Sequence, residues 1–190
     1  LIEQGIRPQG ILAITFTNKA AHEMRERVTK LLGELGSTGR STGGPFVSTF
    51  HTLGVYIIRH NCQALGLTPY FSIADRDESL SAVKQALTQA GYDPKQFEPR
   101  KILGAISREK GKGVGVGEYG MKSGGEFWAS VVGEVWQKYE KVLQERQALD
   151  FDDLLLRAVE LLKREPTRLA KYHDTWTHIH VDEYQDTNVI

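Results

Sequence analysis

Apolar positions along the chain follow two alternating rhythms. Gly10-Ile11-Leu12-Ala13-Ile14-Thr15-Phe16 is a short, unbroken, partly β-branched run, the pattern of a strand buried on both faces of a parallel sheet. The period then changes. Ala20, Ala21, Met24, Val28, Leu31 and Leu35 recur at helical spacing behind Thr17-Asn18, which offer a helix cap. Residues 33–44 are rich in Gly, Ser and Thr and read as a loop. Pro45-Phe46-Val47-Ser48-Thr49-Phe50 predicts a second strand, and 51–65, with Leu53, Tyr56, Ile57 and Cys62, a second helix. Strand, helix, strand, helix in this order argues for a parallel α/β sheet. Ahead of it, Leu1-Ile2-Glu3-Gln4-Gly5 resembles a last helical turn closed by glycine.

From 71 to 147 no strand of that kind recurs. Asp75 and Glu78 form a capping-box-like start to a helix carrying Leu80, Val83 and Leu87, and a shorter helix is expected over 100–108. Residues 111–125 hold seven glycines in fifteen positions, which predicts a flexible run without structure of its own. Trp128, Val131, Val132, Val135, Trp136, Tyr139, Val142 and Leu143 then mark an amphipathic helix. Asp150 reopens the first pattern. Phe151, Leu154, Leu155, Ala158, Val159 and Leu162 keep helical spacing, with Pro166 at or just past the end. A polar segment with Tyr172 and Trp176 leads into a last short run, His178-Ile179-His180-Val181. The expected organisation is an α/β first part over 1–70, a mostly helical insert over 71–148 and an α/β return segment over 149–190.

Composition adds limits. The 190 residues suffice for one domain with an insert, and 40% hydrophobic with 25% charged residues is ordinary for a globular protein. Twenty-four basic residues balance 24 acidic ones, so any nucleic-acid site must be a local patch. Cys62 is the only cysteine, which excludes an internal disulfide. No apolar run approaches membrane-spanning length and no secretory signal opens the chain, so a cytoplasmic location is expected. The chain opens on Leu1 and closes at Ile190, soon after an acidic cluster, and reads as a piece of a longer protein.

The candidate chemistry gathers where strands end. Val181 delivers Asp182 and Glu183, and ligands of open parallel sheets bind beyond the carboxyl ends of strands. Two adjacent acids there suit nucleotide hydrolysis, one carboxylate holding Mg²⁺ and the other polarising the attacking water. The plain alternative is a strand end with its acids in solvent. Phe16-Thr17-Asn18-Lys19 and Thr49-Phe50-His51 lie where a strand gives way to a helix, on the same expected edge. Hydroxyls and helix N-terminal amides there hold phosphates and an exposed ring stacks on a base, although each stretch alone is also ordinary capping chemistry. His178, His180 and Asp182, two apart on a strand, would share a face and form the ligand set of a metal-dependent hydrolase. The other histidines, His22, His51, His60 and His173, are scattered singly, which favours plain packing at a strand end. Asp150, Asp152 and Asp153 are read as acids matching the amides and dipole of a helix start. Gly115-Val116-Gly117-Glu118-Tyr119-Gly120 spells the dinucleotide pattern without the strand and helix it needs and is set aside. Among these residues no glycine-rich loop ends in Gly-Lys-Ser/Thr; Gly111-Lys112 is followed by Gly113.

Four stretches carry a family resemblance. Ile11-Leu12-Ala13-Ile14-Thr15-Phe16-Thr17-Asn18-Lys19-Ala20-Ala21, continued by Glu23-Met24-Arg25-Glu26-Arg27-Val28, resembles a conserved motif of UvrD/Rep/PcrA-type superfamily 1 DNA helicases, with the PcrA branch most alike. Ser48-Thr49-Phe50-His51-Thr52-Leu53 resembles their next motif, and Leu149-Asp150-Phe151-Asp152-Asp153-Leu154-Leu155 the segment where their chain re-enters the motor domain. Asp182-Glu183-Tyr184-Gln185-Asp186-Thr187-Asn188 is similar to their Walker B motif. The resemblance implies a RecA-like parallel sheet with an inserted helical subdomain. It also implies an ATP- and Mg²⁺-dependent motor walking 3′ to 5′ on single-stranded DNA and separating duplex ahead, in repair or replication. By position, Asp182 would be the Mg²⁺-associated carboxylate and Glu183 the catalytic base. Phe16 and Phe151 would stack on bases, and Thr17, Asn18, Thr49 and His51 would lie along the DNA. The family's phosphate-gripping Walker A loop has no counterpart in these residues, so the ATP site is incomplete and the chain alone is expected to be inactive. A sheet short of that neighbouring strand is expected to leave an edge open to pairing, as in an edge-paired dimer. Two other function classes stay in view: the metal-dependent hydrolase, and a single-stranded DNA-binding module with no motor role.

Overall fold

The computed structural model describes residues 1–34, 43–122 and 126–186. Most of the expected 33–44 loop and the Thr187-Asn188 end of the last motif lie outside the described residues. The chain forms two compact units, one of residues 1–54 with 162–187, the other centred on 55–161. Both boundaries fall within helices, whereas the expected divisions at 70 and 148 lie inside the second unit.

The first unit is built on β1 (Ile11–Thr15), every residue of which is buried. β1 is the middle strand of a parallel sheet, with β2 (Phe46–Thr49) on one side and β5 (His178–Val181) on the other. A strand flanked on both sides and covered has no polar face, which is why its sequence is continuously apolar. Behind β1, α1 (Asn18–Glu34) packs on the sheet through Ala21, and its Arg25 donates to the Val47 carbonyl at 2.9 Å. The first turn of α2 (Phe50–His60) belongs here, as does α8 (Pro166–Thr175), a helix where the sequence reads only as a polar segment. Proline at the first position of α8 suits a helix start, and Tyr172 stacks on Trp176, which is buried against Phe46.

The second unit is helical. Its core joins α3 (Arg76–Gln89), α4 (Pro99–Lys110) and α6 (Phe127–Glu145) through fully buried Val83, Leu87, Ile102, Ile106, Val135 and Trp136. The capping box is formed: the Asp75 carboxylate accepts from the amides of Asp77 and Glu78 while Glu78 accepts from the Asp75 amide. Two departures from the sequence reading stand out. Ser72–Ile73 (β3) pairs in parallel with Ala148–Leu149 (β4), strands too short to leave a period in the sequence. The glycine-rich run is not a bare linker, because Val116–Lys122 forms a helix, α5. Tyr119 on α5 packs on Trp136 with ring centroids 5.4 Å apart, over Gly133, and that burial outweighs the glycines' weak helix propensity. Residues 123–125 of the run lie outside the described residues. The next helix, α7 (Asp153–Arg164), starts two residues later than its apolar spacing implies.

Candidate nucleotide and nucleic-acid site

The three strands of the first unit are parallel, so all three end on one edge of the sheet. The register aligns Thr15 with Thr49 and Ile14 with Val181. One step further, Asp182 stands level with both threonines, and its amide donates to the Ile14 carbonyl at 2.8 Å. The backbone carrying the first acid is thus tied into the ladder of the buried central strand. Both acids are exposed. Glu183 adopts a left-handed backbone (φ 54°), uncommon for a residue with a side chain, and this turns the chain sharply off the sheet. The Gln185 amide donates to the Glu183 carboxylate, orienting it.

On the same edge Phe16 leaves β1 with 52% of its surface exposed, and Thr17 and Asn18 follow, also exposed. The Thr17 hydroxyl accepts from the Ala20 amide at 3.1 Å and so caps α1. Thr49 is buried; its hydroxyl lies 3.0 Å from that of Thr52 and accepts from the Thr52 amide, capping α2 in the same way. His51 is half-buried on the first turn of α2. The strand ends therefore bring Phe16, Thr17, Asn18, Thr49, His51, Asp182 and Glu183 to one rim, with Thr49 beneath its surface. A cleft of about 450 Å³ opens beside it, between Met24 and Arg27 of α1 and His180 and Asp182 at the end of β5. Asp182 and Glu183 are hard oxygen donors of the kind Mg²⁺ prefers, and their exposure leaves room for its water shell. The metal-hydrolase alternative gains no support: among the described residues no group of three His, Cys, Asp or Glu is placed to hold a metal, and the His178 ring contacts Thr177 at 3.0 Å.

Phe151 belongs to the second unit. It is 58% exposed and lines a cleft of about 560 Å³ with Arg76, Arg100 and Ser107. Asp150 and Asp153, which bracket it, sit in a buried ionic cluster that the sequence reading missed. Lys110, only 1% exposed, places its ammonium 2.8 Å from Asp150 Oδ2, 2.8 Å from Asp153 Oδ1 and 2.9 Å from Glu140 Oε1. The Tyr139 hydroxyl donates to Asp150 Oδ2 at 2.9 Å, and Arg157 pairs with Glu140. Asp150 also caps α7, accepting the Asp153 amide at 2.8 Å, so the expected capping role holds for one carboxylate while the pairing with Lys110 was unforeseen. Burial works against the charge on Lys110, yet Asp153, Asp150 and Glu140 together hold its pKa well above the usual lysine value. Burial pushes the Asp153 carboxyl up to about 7. Burial acts in the same sense on Asp150 and Glu140, but Lys110 overrides it and keeps both below the ordinary carboxylate range. The only legible trace was the spacing of Asp150 and Asp153; nothing around Lys110 in the sequence marks it as buried.

The model of the UvrD/REP helicase N-terminal domain matches residues 1–190. A protein described as ATP-dependent DNA helicase PcrA from Bacillus subtilis is 42% identical over 99% of this chain. Proteins of the same description from Staphylococcus epidermidis and Staphylococcus aureus are 40% and 39% identical, also over 99% of it. The chain spans about a quarter of the length of these relatives, 24% of the first and 25% of the others.

Proposed function

The chain belongs to the UvrD/REP helicase N-terminal domain family, and from that premise we propose that it forms part of an ATP-driven motor that moves 3′ to 5′ on single-stranded DNA and unwinds duplex, in repair or replication. The parallel sheet is that of a RecA-like helicase domain. In this reading 1–70 and 149–190 build the motor domain and 71–148 its helical insert. One observation carries the proposal: parallel register places Phe16, Thr49 and the Asp182-Glu183 pair at the ends of adjacent strands. A motor needs its nucleotide site and its DNA track mechanically joined, and a single sheet edge joins them.

Bound Mg²⁺ would neutralise charge on the ATP phosphates. Asp182 would hold the ion, directly or through its water, from a backbone anchored to β1. Glu183 would orient the attacking water and accept its proton, and Gln185 keeps its carboxylate turned. Phe16 and Phe151 offer ring faces to bases, a contact every base makes equally and one that suits a motor crossing any sequence. Phosphate grip must come from residues outside these 190, so the chain alone should not turn over ATP. No described helix is long and apolar enough to cross a membrane.

A coupled ATPase assay tests the assignment. In the longer helicase, Glu183→Gln should lower DNA-stimulated turnover by about 10²–10⁴-fold, the usual worth of a positioned base, while binding of single-stranded DNA persists. Magnesium-dependent turnover by this chain alone that vanishes in Glu183→Gln would overturn the claim that it lacks half its site. Unchanged turnover of the variant helicase would overturn the role of Glu183.

A further inference from the structure

We propose that Lys110 is a positioning residue for Phe151: by binding Asp150 and Asp153 together it staples the two ends of a four-residue turn and holds the Phe151 ring out at the mouth of its cleft. The inference rests on the reading of Phe151 as a base-stacking residue, and extends it to a device that no motif marks.

The geometry is specific. Phe151 and Asp152 are the only residues between the two stapled aspartates. The same ammonium reaches both carboxylates at 2.8 Å, from a helix forty residues earlier in the chain. The turn is closed a second time by its own backbone, since the Asp153 amide donates to Asp150 Oδ1. The Tyr139 hydroxyl clamps Asp150 from α6, and Glu140, one residue further on, takes the remaining ammonium contact. Both anchors are buried while Phe151 between them is 58% exposed. An apolar ring presented to water from such a turn would otherwise fold back onto apolar neighbours, because burial of a phenyl ring is favourable. Fixing both flanking residues removes the backbone freedom that this collapse needs. A ring preorganised in this way binds a base without first being ordered. Lys110 sits at the last turn of α4, and Arg100 at its first turn lines the same cleft as Phe151. One helix thus supplies the staple and one wall of the site.

Two readouts test this in the 190-residue chain. The first replaces the phenylalanines by fluorophenylalanine and follows the fluorine NMR line of position 151, assigned through Phe151→Leu. The second is the affinity for a short oligothymidylate by fluorescence anisotropy, at a temperature where each variant is folded by circular dichroism. Lys110→Met removes the staple, and the milder Tyr139→Phe removes one clamp from Asp150 without emptying the core. The expected result is a position-151 line shifted toward the value of a buried ring or broadened, with Kd raised about three- to tenfold in Tyr139→Phe and more in Lys110→Met. In a Phe151→Ala background neither substitution should raise Kd further, because the staple acts only through the ring. An unmoved fluorine line in both variants overturns the proposal, as does an equal loss of affinity with and without Phe151, which would mark a merely structural cluster. A moved line together with a Kd that Phe151→Ala leaves unchanged upholds the staple and overturns the stacking role of Phe151 instead.

Discussion

Replacing Lys110 by methionine keeps an unbranched chain of similar length and removes only the charge. Three carboxylates, two within 2.8 Å and one within 2.9 Å of the lost ammonium, are then left in the core with Arg157 as their remaining cation. Removing one partner of a buried ion pair costs about 3–5 kcal/mol, because the survivor keeps its desolvation penalty without its attraction. The loss should depend on pH in a definite direction. With Lys110 present, Asp150 and Glu140 are held low, so their contribution to stability exists above their unfolded pKa near 4 and is lost as pH falls through the folded values. Asp153, raised to about 7, acts oppositely: its contribution is complete below its ordinary value of 3.8 and is lost as pH climbs toward 7. Without Lys110 all three move to the second kind. Each then favours the folded state only when protonated, and each costs stability once it must ionise in the core. The deficit of Lys110→Met should therefore be widest near pH 8, at about 3–5 kcal/mol, and roughly halve by pH 5 as carboxyls take up protons. Urea unfolding followed by tryptophan emission measures it, with Trp176→Phe silencing the first unit and leaving Trp136 and Trp128 to report on the second. For a unit of about 100 residues the midpoint should fall by about 2–4 M at pH 8. A deficit under about 1 kcal/mol, or one that stays constant from pH 5 to pH 8, would refute the electrostatic account of this core.

Other expectations follow from the same structure. Asp75→Ala removes both amide contacts of the capping box on α3 and should cost about 1 kcal/mol, read as a lowered Tm that Asp75→Ser largely restores. Phe16→Ala should weaken oligonucleotide binding by roughly 1–3 kcal/mol, about 5- to 150-fold, with little change in Tm because the ring is half exposed; an unchanged Kd would remove Phe16 from the DNA track. β5 pairs with β1 along one side only among the described residues, and Ile179 on it is 58% exposed, so the chain should self-associate with rising concentration. A strictly monomeric light-scattering profile at high concentration would count against that edge pairing.

The local chemistry of this protein was open to reading from the chain itself. An unbroken apolar run such as 11–14, short and bounded by glycine and polar residues, has no polar face to show solvent and reads as a covered strand. The change of period after Asn18, the capping box at Asp75 and Glu78 and the amphipathic stripe through Trp136 are equally short-range, each settled by residues within a turn or two of one another. The acids at 182 and 183 could be placed at a strand end for the same reason, and the motifs around them brought the family into view. What tertiary structure alone decided depends on residues far apart. Nothing near Val116 or Tyr119 says that a glycine-rich run becomes a helix, because the indole of Trp136 that orders it comes from a different helix. No window around Lys110 shows that its ammonium is buried, since its three partners lie thirty to forty-three residues further on. Charge in a core is tolerated only where the fold delivers the opposite charge to within hydrogen-bond reach, and that delivery is a property of packing. Whether a polar residue is a solvated face, a cap or a buried lock is a question of what arrives beside it. For Asp150 and Asp153 the chain alone foresaw the cap, and only the packed helices revealed the lock.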